Sequence, residues 1–370
     1  MRSLAIESLS VRAFRNLESV DVELSPRFNV LSGDNGQGKT NLLEAVYLLA
    51  TSRSFRTSRQ SEVVRSGSDV ASVRAVIREQ DDAREQSVGL GQGVRRVRID
   101  GKRPPTLAAY ALRTPVVVFH PGAVALSAGS GSERRRLLDR VALYQSPAAL
   151  GDAESYAKAL RARQRVLQVR GESAVELEHW EELVVRHGRA LSEARQRAAE
   201  SLAPAAERAF ARIGAEIAFR ARYAPNAPAD PAEYRSMLAR SRPRDRARGS
   251  ATIGPHRDDL LLELGGGPAR GRASQGQHRA IVLALELGEI EVISKARFVR
   301  PILLLDDVSS ELDRARTSAL FGALRQGDGQ VLLTTTRPEL IETGELAGVD
   351  ERRDFAVVGG RVQAAQAACG

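Results

Sequence analysis

Eight residues near the start of the chain, Gly33-Asp34-Asn35-Gly36-Gln37-Gly38-Lys39-Thr40, follow the spacing Gly-x-x-x-x-Gly-Lys-Ser/Thr. Glycines at these positions let backbone N–H groups close around phosphate oxygens, and a helix starting near Lys39 adds its positive end. The Lys39 ammonium suits the β- and γ-phosphates, and the Thr40 hydroxyl suits Mg²⁺. Gly33, Asp34, Asn35, Gly36, Gln37, Gly38, Lys39, Thr40 and Asn41 are therefore the expected nucleotide-binding residues.

Two further stretches could complete such a site. Pro301-Ile302-Leu303-Leu304-Leu305-Asp306-Asp307 is an apolar run that ends in two carboxylates. A continuous apolar run reads as a buried parallel strand, and ligands bind at the carboxyl ends of such strands. Asp306 is placed to support Mg²⁺. Asp307, one residue on, is placed to orient or deprotonate an attacking water. The other stretch is Ala273-Ser274-Gln275-Gly276-Gln277-His278-Arg279, followed by apolar positions at helical spacing. Ser274 reads either as a plain N-cap or, with the Gly276 N–H and Gln277, as an anion site at a helix start. No Asn-Lys-x-Asp stretch exists to read guanine, so ATP is favoured over GTP.

Elements of three kinds must position these residues. The first 25 residues alternate and read as a hairpin or short meander, then Phe28–Leu31 reads as a strand feeding the glycine-rich turn. Asn41–Thr51 has helical spacing, and 70–119 is mainly strand. From about 132 to 219 the chain is helical, with a narrow apolar seam of Leu177, Trp180, Val184, His187 and Leu191. Strand character returns at Ala251–Ile253 and Leu260–Leu264. Lys39 and Asp306 stand far apart, with the helical block between them, so one nucleotide-binding core is expected to be split by an insertion. The expected parts are 1–130 and 249–370 for the core and 131–248 for a helical arm.

Composition removes other classes. The chain has 370 residues, a formal net charge of +9 and 42% hydrophobic residues, enough for a substantial core. A single cysteine, Cys369, excludes a disulfide framework and a thiolate zinc site. Met1–Glu7 lacks the apolar core of a signal peptide, and no stretch reaches the ~20 apolar residues of a membrane span, so a cytoplasmic protein is expected. The basic balance favours a polyanionic partner. Two arginine clusters compete for it, Arg53, Arg56 and Arg59 after the first helix, and the run from Arg235 to Arg248.

The motifs together resemble the bacterial RecF family of SMC-like DNA replication and repair ATPases. The resemblance runs through Phe14-Arg15-Asn16-Leu17, Asn29–Ala45, Ser54-Phe55-Arg56 and Arg134-Arg135-Arg136-Leu137-Leu138-Asp139. It continues through Gly254-Pro255-His256-Arg257-Asp258-Asp259, Ser274-Gln275-Gly276-Gln277, Leu303–Asp307, Ser310–Asp313 and Val331–Thr336. The resemblance implies an α/β fold, an ABC/SMC-type P-loop ATPase head with a short inserted helical arm. It implies weak DNA-stimulated hydrolysis of ATP with Mg²⁺, an ATP-dependent homodimer, and binding to DNA with single-strand gaps. It also implies work with RecR and RecO in helping RecA displace single-strand-binding protein, in the cytoplasm at the nucleoid. By position, Lys39 and Thr40 would hold phosphate and Mg²⁺, Asp306 would support Mg²⁺, and Asp307 would stand in the catalytic place. Ser274 would act across the dimer and Asp313 would lie in the interface loop. No histidine follows His278, so Thr335 or Thr336 must cover the usual switch-histidine place, and 113–126 contains no glutamine for a lid loop. His256 stays open between a buried structural histidine and an adenine or dimer contact. A second reading is an SMC-like platform that binds ATP and partner proteins with negligible hydrolysis.

Overall fold

A computed structural model describes residues 1–91, 93–213, 217–307, 322, 329–337 and 351–365. The chain divides into two units, Met1–Ala123 with Ile293–Gly370, and Val124–Val292.

In the first unit, β1 (Leu4–Phe14) and β2 (Leu17–Glu23) form the expected hairpin, and β3 (Phe28–Ser32) leads into α1 (Lys39–Thr51). Then come β4 (Val70–Glu79), β5 (Asp82–Gly91), β6 (Val94–Ile99), the short α2 (Leu107–Ala111) and β7 (Val116–Phe119). Strands β1, β2, β4, β5 and β6 make an antiparallel sheet in the order β2-β1-β4-β5-β6. The inward side chains Leu9, Val11, Val73, Ala75 and Val88 are buried and their neighbours are not, which is the period-two pattern of a half-buried sheet.

In the second sheet of this unit the strands Val116–Phe119 and Ile302–Leu305 are continuously apolar, as expected of strands covered on both faces. The inserted second unit brings the strand numbering to β11 (Ile302–Leu305), β12 (Val331–Thr335), β13 (Arg352–Val358) and β14 (Arg361–Ala364). Their order is β14-β13-β3-β12-β11-β7, parallel except for the β13–β14 hairpin. Helix α1 packs against strands of both sheets, and every residue from Leu42 to Ala50 is buried. Burial on nearly all sides explains why the helix shows little amphipathic contrast, and each fully buried leucine stabilises by about 1.5–3 kcal/mol.

The second unit holds α3 (Ala125–Ala128), α4 (Gly131–Gln145), α5 (Ala148–Arg170), α6 (Glu176–Arg212), β8 (Phe219–Ala224), α7 (Pro231–Arg248), β9 (Asp259–Leu264), β10 (Gly267–Pro268) and most of α8 (Gln275–Arg297). The seam on α6 is wider than the apolar spacing suggests. Leu177, Val184 and Leu191 are buried, but so are Glu181, Val185, Gly188, Ala194 and Arg195. Small and paired charged residues widen the face without adding to an apolar pattern, and α7 packs on it as well as α5. Asp230 caps α7, accepting from Glu233 N at 2.7 Å, and Pro231 takes the first turn where no N–H is needed.

The boundary expected at residue 248 moves to 292 in this division. The reason is pairing: β8 and β9 run antiparallel from Phe219↔Leu264 to Ala224↔Asp259, joining residues on either side of 248 in one sheet. Ala251–Ile253 is not a strand. Its polar groups go elsewhere: Thr252 N and Oγ1 donate to Asp245 Oδ1 at 2.8 and 2.7 Å, and Ala251 O accepts from His256 and Arg257.

Candidate active site

The site begins where β3 ends. Gly33 has φ 148°, and a Cβ there would run into the Val357 carbonyl. Gly38, just before α1, has φ 117°, and a Cβ there would lie 2.8 Å from Asn16 Oδ1. Both positions therefore need glycine for conformation and for space. The loop between them is held from outside. Asn41 Nδ2 donates to Asn16 Oδ1 at 2.7 Å, and Asn16 Nδ2 donates to Gln37 O at 3.2 Å. Gly359 N donates to Gln37 Oε1 at 2.6 Å and Gly360 N to Gln37 O at 2.9 Å. The β1–β2 and β13–β14 turns thus fix the loop's outer side.

Lys39 is buried, and its Nζ donates to the carbonyls of Gly33 at 2.5 Å and Asp34 at 2.8 Å. Burial lowers its pKa, while the charges of Asp307, Asp306 and Asp34 work the other way. Two of those carboxylates belong to the end of β11. The first is reached through Thr40, whose Oγ1 donates to Asp306 Oδ1 at 2.7 Å. Thr334 Oγ1, from the end of β12, donates to the same oxygen at 2.9 Å. Burial raises the Asp306 pKa, offset in part by these two hydroxyls. Mg²⁺ takes hard oxygen donors and needs only one or two from protein when phosphates supply others. The Thr40 hydroxyl and the buried Asp306 carboxylate fit that requirement.

Asp307 has φ 52°, the left-handed region, and its N–H donates to Thr334 Oγ1 at 2.9 Å. An aspartate tolerates that conformation better than most residues, but it still costs of order 1 kcal/mol or more. The turn redirects the chain immediately after the strand, so Asp306 and Asp307 do not share a strand's alternation. Thr334 ties both carboxylate-bearing residues to β12.

Glu44 sits one turn beyond Thr40, fully buried inside α1. A carboxylate there must be paired. Arg15 donates to it twice, at 3.0 and 2.8 Å, Ser54 donates at 2.5 Å, and Arg56 at 3.3 Å. Arg56 also donates to Asn41 Oδ1 at 2.7 Å. The exposed cluster of Arg53, Arg56 and Arg59 is thereby attached to the helix that carries Lys39 and Thr40.

The structure thus brings together Lys39, Thr40, Asp306 and Asp307 in the first unit, with Gly33–Gly38 wrapped beside them. Thr335 is buried at the end of β12 and accepts from Arg337 N at 2.9 Å, while Thr336 is exposed. Asp313 lies outside the described residues. Asn16, Glu44, Thr334 and the Gly359–Gly360 turn were not singled out by residue chemistry. Asn16, Glu44 and Thr334, with Arg15, did stand in stretches that carried the family resemblance.

Ser274, Gly276 and Gln277 belong to the second unit. Ser274 is exposed at the start of α8, with its N–H donating to Gln277 Oε1 at 2.8 Å and its Oγ accepting from Gln277 N at 3.2 Å. This is a reciprocal capping box. His278, in the next turn, is hydrogen-bonded to Ser127 at 2.7 Å.

Two of the resembling stretches interlock in this unit. Arg134 pairs with Asp259 through two bonds of 2.7 and 2.8 Å, and Arg135 donates to Asp258 O at 2.7 Å. Arg195 bridges Asp139 and Asp258, and Asp258 also accepts from Tyr223 and from Asn226 N. Tyr156 Oη lies 2.7 Å from His256 Nδ1, and Nε2 lies 3.0 Å from Ala251 O. A carbonyl only accepts, so the proton is on Nε2 and Nδ1 accepts from the tyrosine. Burial lowers the His256 pKa. Both ring nitrogens are thus committed inside the unit, which is the structural reading of this histidine.

Known proteins match this arrangement along nearly its whole length. The family described as the RecF/RecN/SMC N-terminal domain matches residues 5–354. The DNA replication and repair protein RecF of Anaeromyxobacter sp. (strain Fw109-5) is 43% identical over 345 residues, covering 90% of this chain and 93% of that protein. RecF of Myxococcus xanthus (strain DK1622) is 40% identical over 376 residues, covering 98% and 97%. Among solved structures, the recombination mediator protein RecF with ATPrS, in the RecFOR pathway, is similar with a TM-score of 0.85 and 27% identity, covering 98% of this chain and 99% of that one. An Smc head domain from Pyrococcus furiosus, with a TM-score of 0.54 and 17% identity over 98% and 96% of the chains, shares the fold. The class is an ABC-type ATPase head of the SMC kind. Within it, the chain belongs to the RecF family.

Proposed function

We propose that the chain is a DNA repair and replication ATPase that binds ATP with Mg²⁺ and closes as a dimer on DNA with single-strand gaps. The observation that carries this reading is the convergence of Thr40, Thr334 and Asp306 within hydrogen-bond distance, beside Lys39 and a phosphate-shaped loop. Mg²⁺, when bound, neutralises charge on the β- and γ-phosphates. Lys39 turns from the Gly33 and Asp34 carbonyls toward phosphate oxygens. Asp307 orients the attacking water, and its short side chain suits slow turnover. Ser274, an exposed hydroxyl at a helix start, meets the γ-phosphate held by a second copy. Arg53, Arg56 and Arg59 take the DNA backbone, and the bonds from Arg56 to Asn41 and Glu44 connect that surface to the P-loop helix. RecF relatives are named as replication and repair proteins, and one is described in the RecFOR pathway. We accordingly place the chain with RecR and RecO, assisting RecA, in the cytoplasm at the nucleoid. No described helix is long and apolar enough to cross a membrane.

ATP turnover with and without gapped duplex tests the reading. Measurable basal hydrolysis that rises on adding gapped DNA supports it. Tight ATP binding with no turnover in either condition favours the platform reading instead.

A further inference from the structure

Helix α8 ends at Arg297, and the chain then turns to enter β11 at Ile302. Phe298 makes the turn with φ 55°. A residue in the left-handed region just past a helix is most often glycine, because a Cβ there crowds the backbone. A bulky side chain in that conformation is strained. Phe298 recovers little of the cost by packing, since it is 71% exposed. Conformation and burial both favour a smaller residue at this position, so folding does not account for the phenylalanine.

The surface around it has two further features. Met1, also 71% exposed, is tied to the same turn. Arg2 N donates to Phe298 O at 2.9 Å, Arg2 Nη2 donates to Arg297 O at 3.1 Å, and Arg2 bridges Val299 in parallel. Two exposed apolar side chains thus spring from neighbouring backbone. The second feature is charge. From Val292 to Leu305 the chain carries Lys295, Arg297 and Arg300 and no carboxylate. The patch stands at the amino end of β11, whereas Asp306 and the nucleotide-binding edge stand at its carboxyl end. An occupant here leaves the nucleotide edge open.

We propose that Phe298 and Met1 are the apolar anchors of a docking surface for a partner protein whose facing surface is acidic and holds an apolar pocket. This deepens the partner reading above and rests on it. Aromatic and methionine side chains are enriched at the centres of interfaces, where a few anchors carry most of the energy. Cations at the rim steer and select an acidic partner. Phosphates would use the cations but gain nothing from the two apolar side chains. A second copy would set the same cations against themselves in a two-fold contact. The strain at Phe298 is then a folding cost retained for binding.

The test is equilibrium binding of purified RecR, placed with the chain above, to the full chain at low and high salt. Phe298→Gly is expected to weaken binding about tenfold or more. Its urea midpoint should stay equal or rise, because glycine relieves the strain, and its basal ATP turnover should be unchanged. Phe298→Asn, which also tolerates the left-handed region, replaces it if the glycine variant fails to fold. Phe298→Leu keeps an apolar side chain and is expected to retain most of the affinity. Arg297→Gln with Arg300→Gln should weaken binding at low salt and reduce its salt dependence. A loss of binding that comes with a lower urea midpoint marks a structural role and overturns the proposal. A changed sedimentation mass of the nucleotide-free Phe298→Gly chain points to a second copy. Loss of gapped duplex with RecR binding kept, in the arginine variant, points to DNA. Either result also overturns it. If the parent binds RecR and the variants bind alike, only this surface falls. If the parent does not bind RecR, the partner reading falls and takes this surface with it.

Discussion

Asp306 and Asp307 are adjacent, yet their environments differ, and the proposed function gives them different work. Asp306 is buried and receives two hydroxyls, and burial holds its pKa above the ordinary 3.8. Below 3.8 it is protonated folded or unfolded. Between 3.8 and its raised folded value, the folded chain holds a proton that the unfolded chain has released, so its contribution to stability falls as pH rises through that window. Asp306→Asn removes this cost. The nucleotide-free variant should therefore unfold at equal or higher urea than the parent at pH 7, while Mg²⁺ no longer strengthens its ATP binding. Urea midpoints at several pH values, with nucleotide titrations alongside, check both halves. Asp307→Asn should instead keep ATP binding and slow turnover by about 100-fold or more. Single-turnover hydrolysis measures it, and an unchanged rate would remove Asp307 from the catalytic step. Both aspartates could be singled out because the leucine run ending in carboxylates occurs together with a glycine-rich phosphate loop; alone, such a run reads as a strand followed by an acidic turn. Thr334 could not be, because three consecutive threonines end that strand and only sheet register decides which one faces Asp306.

Among the elements, the arm shows how a run of arginines can mislead. Along α7, Arg242 donates twice to Glu181 and Arg235 reaches Glu182, both on α6, while Arg246 pairs with Glu172 in the preceding turn. These arginines hold the arm together. Beneath them Arg163 is fully buried, bonded to Glu181 at 3.0 Å, Asp245 at 2.7 Å and the Leu238 carbonyl at 2.8 Å. Burial alone would raise the Asp245 pKa, but hydrogen bonds from Thr252, Arg163 and Ser241 outweigh it and lower it. Arg163→Leu leaves the buried Asp245 carboxylate without its arginine and Glu181 with Arg242 alone, and should destabilise the chain by about 3–5 kcal/mol, read as a shift in the urea midpoint. None of this was visible in the sequence, where Glu181 and Asp245 are far apart and each looks like an ordinary surface charge. The hairpin, β3 and α1 were visible because their signals are local. Arg240, Arg244 and Arg248 remain exposed and form the proper comparison set for DNA binding. Replacing Arg53, Arg56 and Arg59 with Ala should weaken gapped-duplex binding. Its salt dependence should also flatten, by about 0.9 in log–log slope for each phosphate no longer neutralised. If the Arg240, Arg244 and Arg248 set loses DNA and the first does not, the DNA path lies on the arm.

For the whole molecule, the residues of the proposed site stand far apart in the sequence, and they belong to both units. Lys39, Thr40, Asp306 and Asp307 converge in the first unit, and Ser274 stands exposed at a capped helix start in the second. The unit boundary at 292 was hidden because β8 meets β9 only through a pairing that spans α7, and non-local pairing leaves no periodic trace. The proposed mechanism turns on a second copy completing the site, with its Ser274 on the γ-phosphate. Sedimentation with Mg²⁺ and a non-hydrolysed ATP analogue tests this most directly. The expected masses are monomer without nucleotide, dimer with it, and monomer in both conditions for Ser274→Arg. Parent chains that keep the same monomer mass with and without the analogue, at concentrations where the analogue is bound, would contradict it.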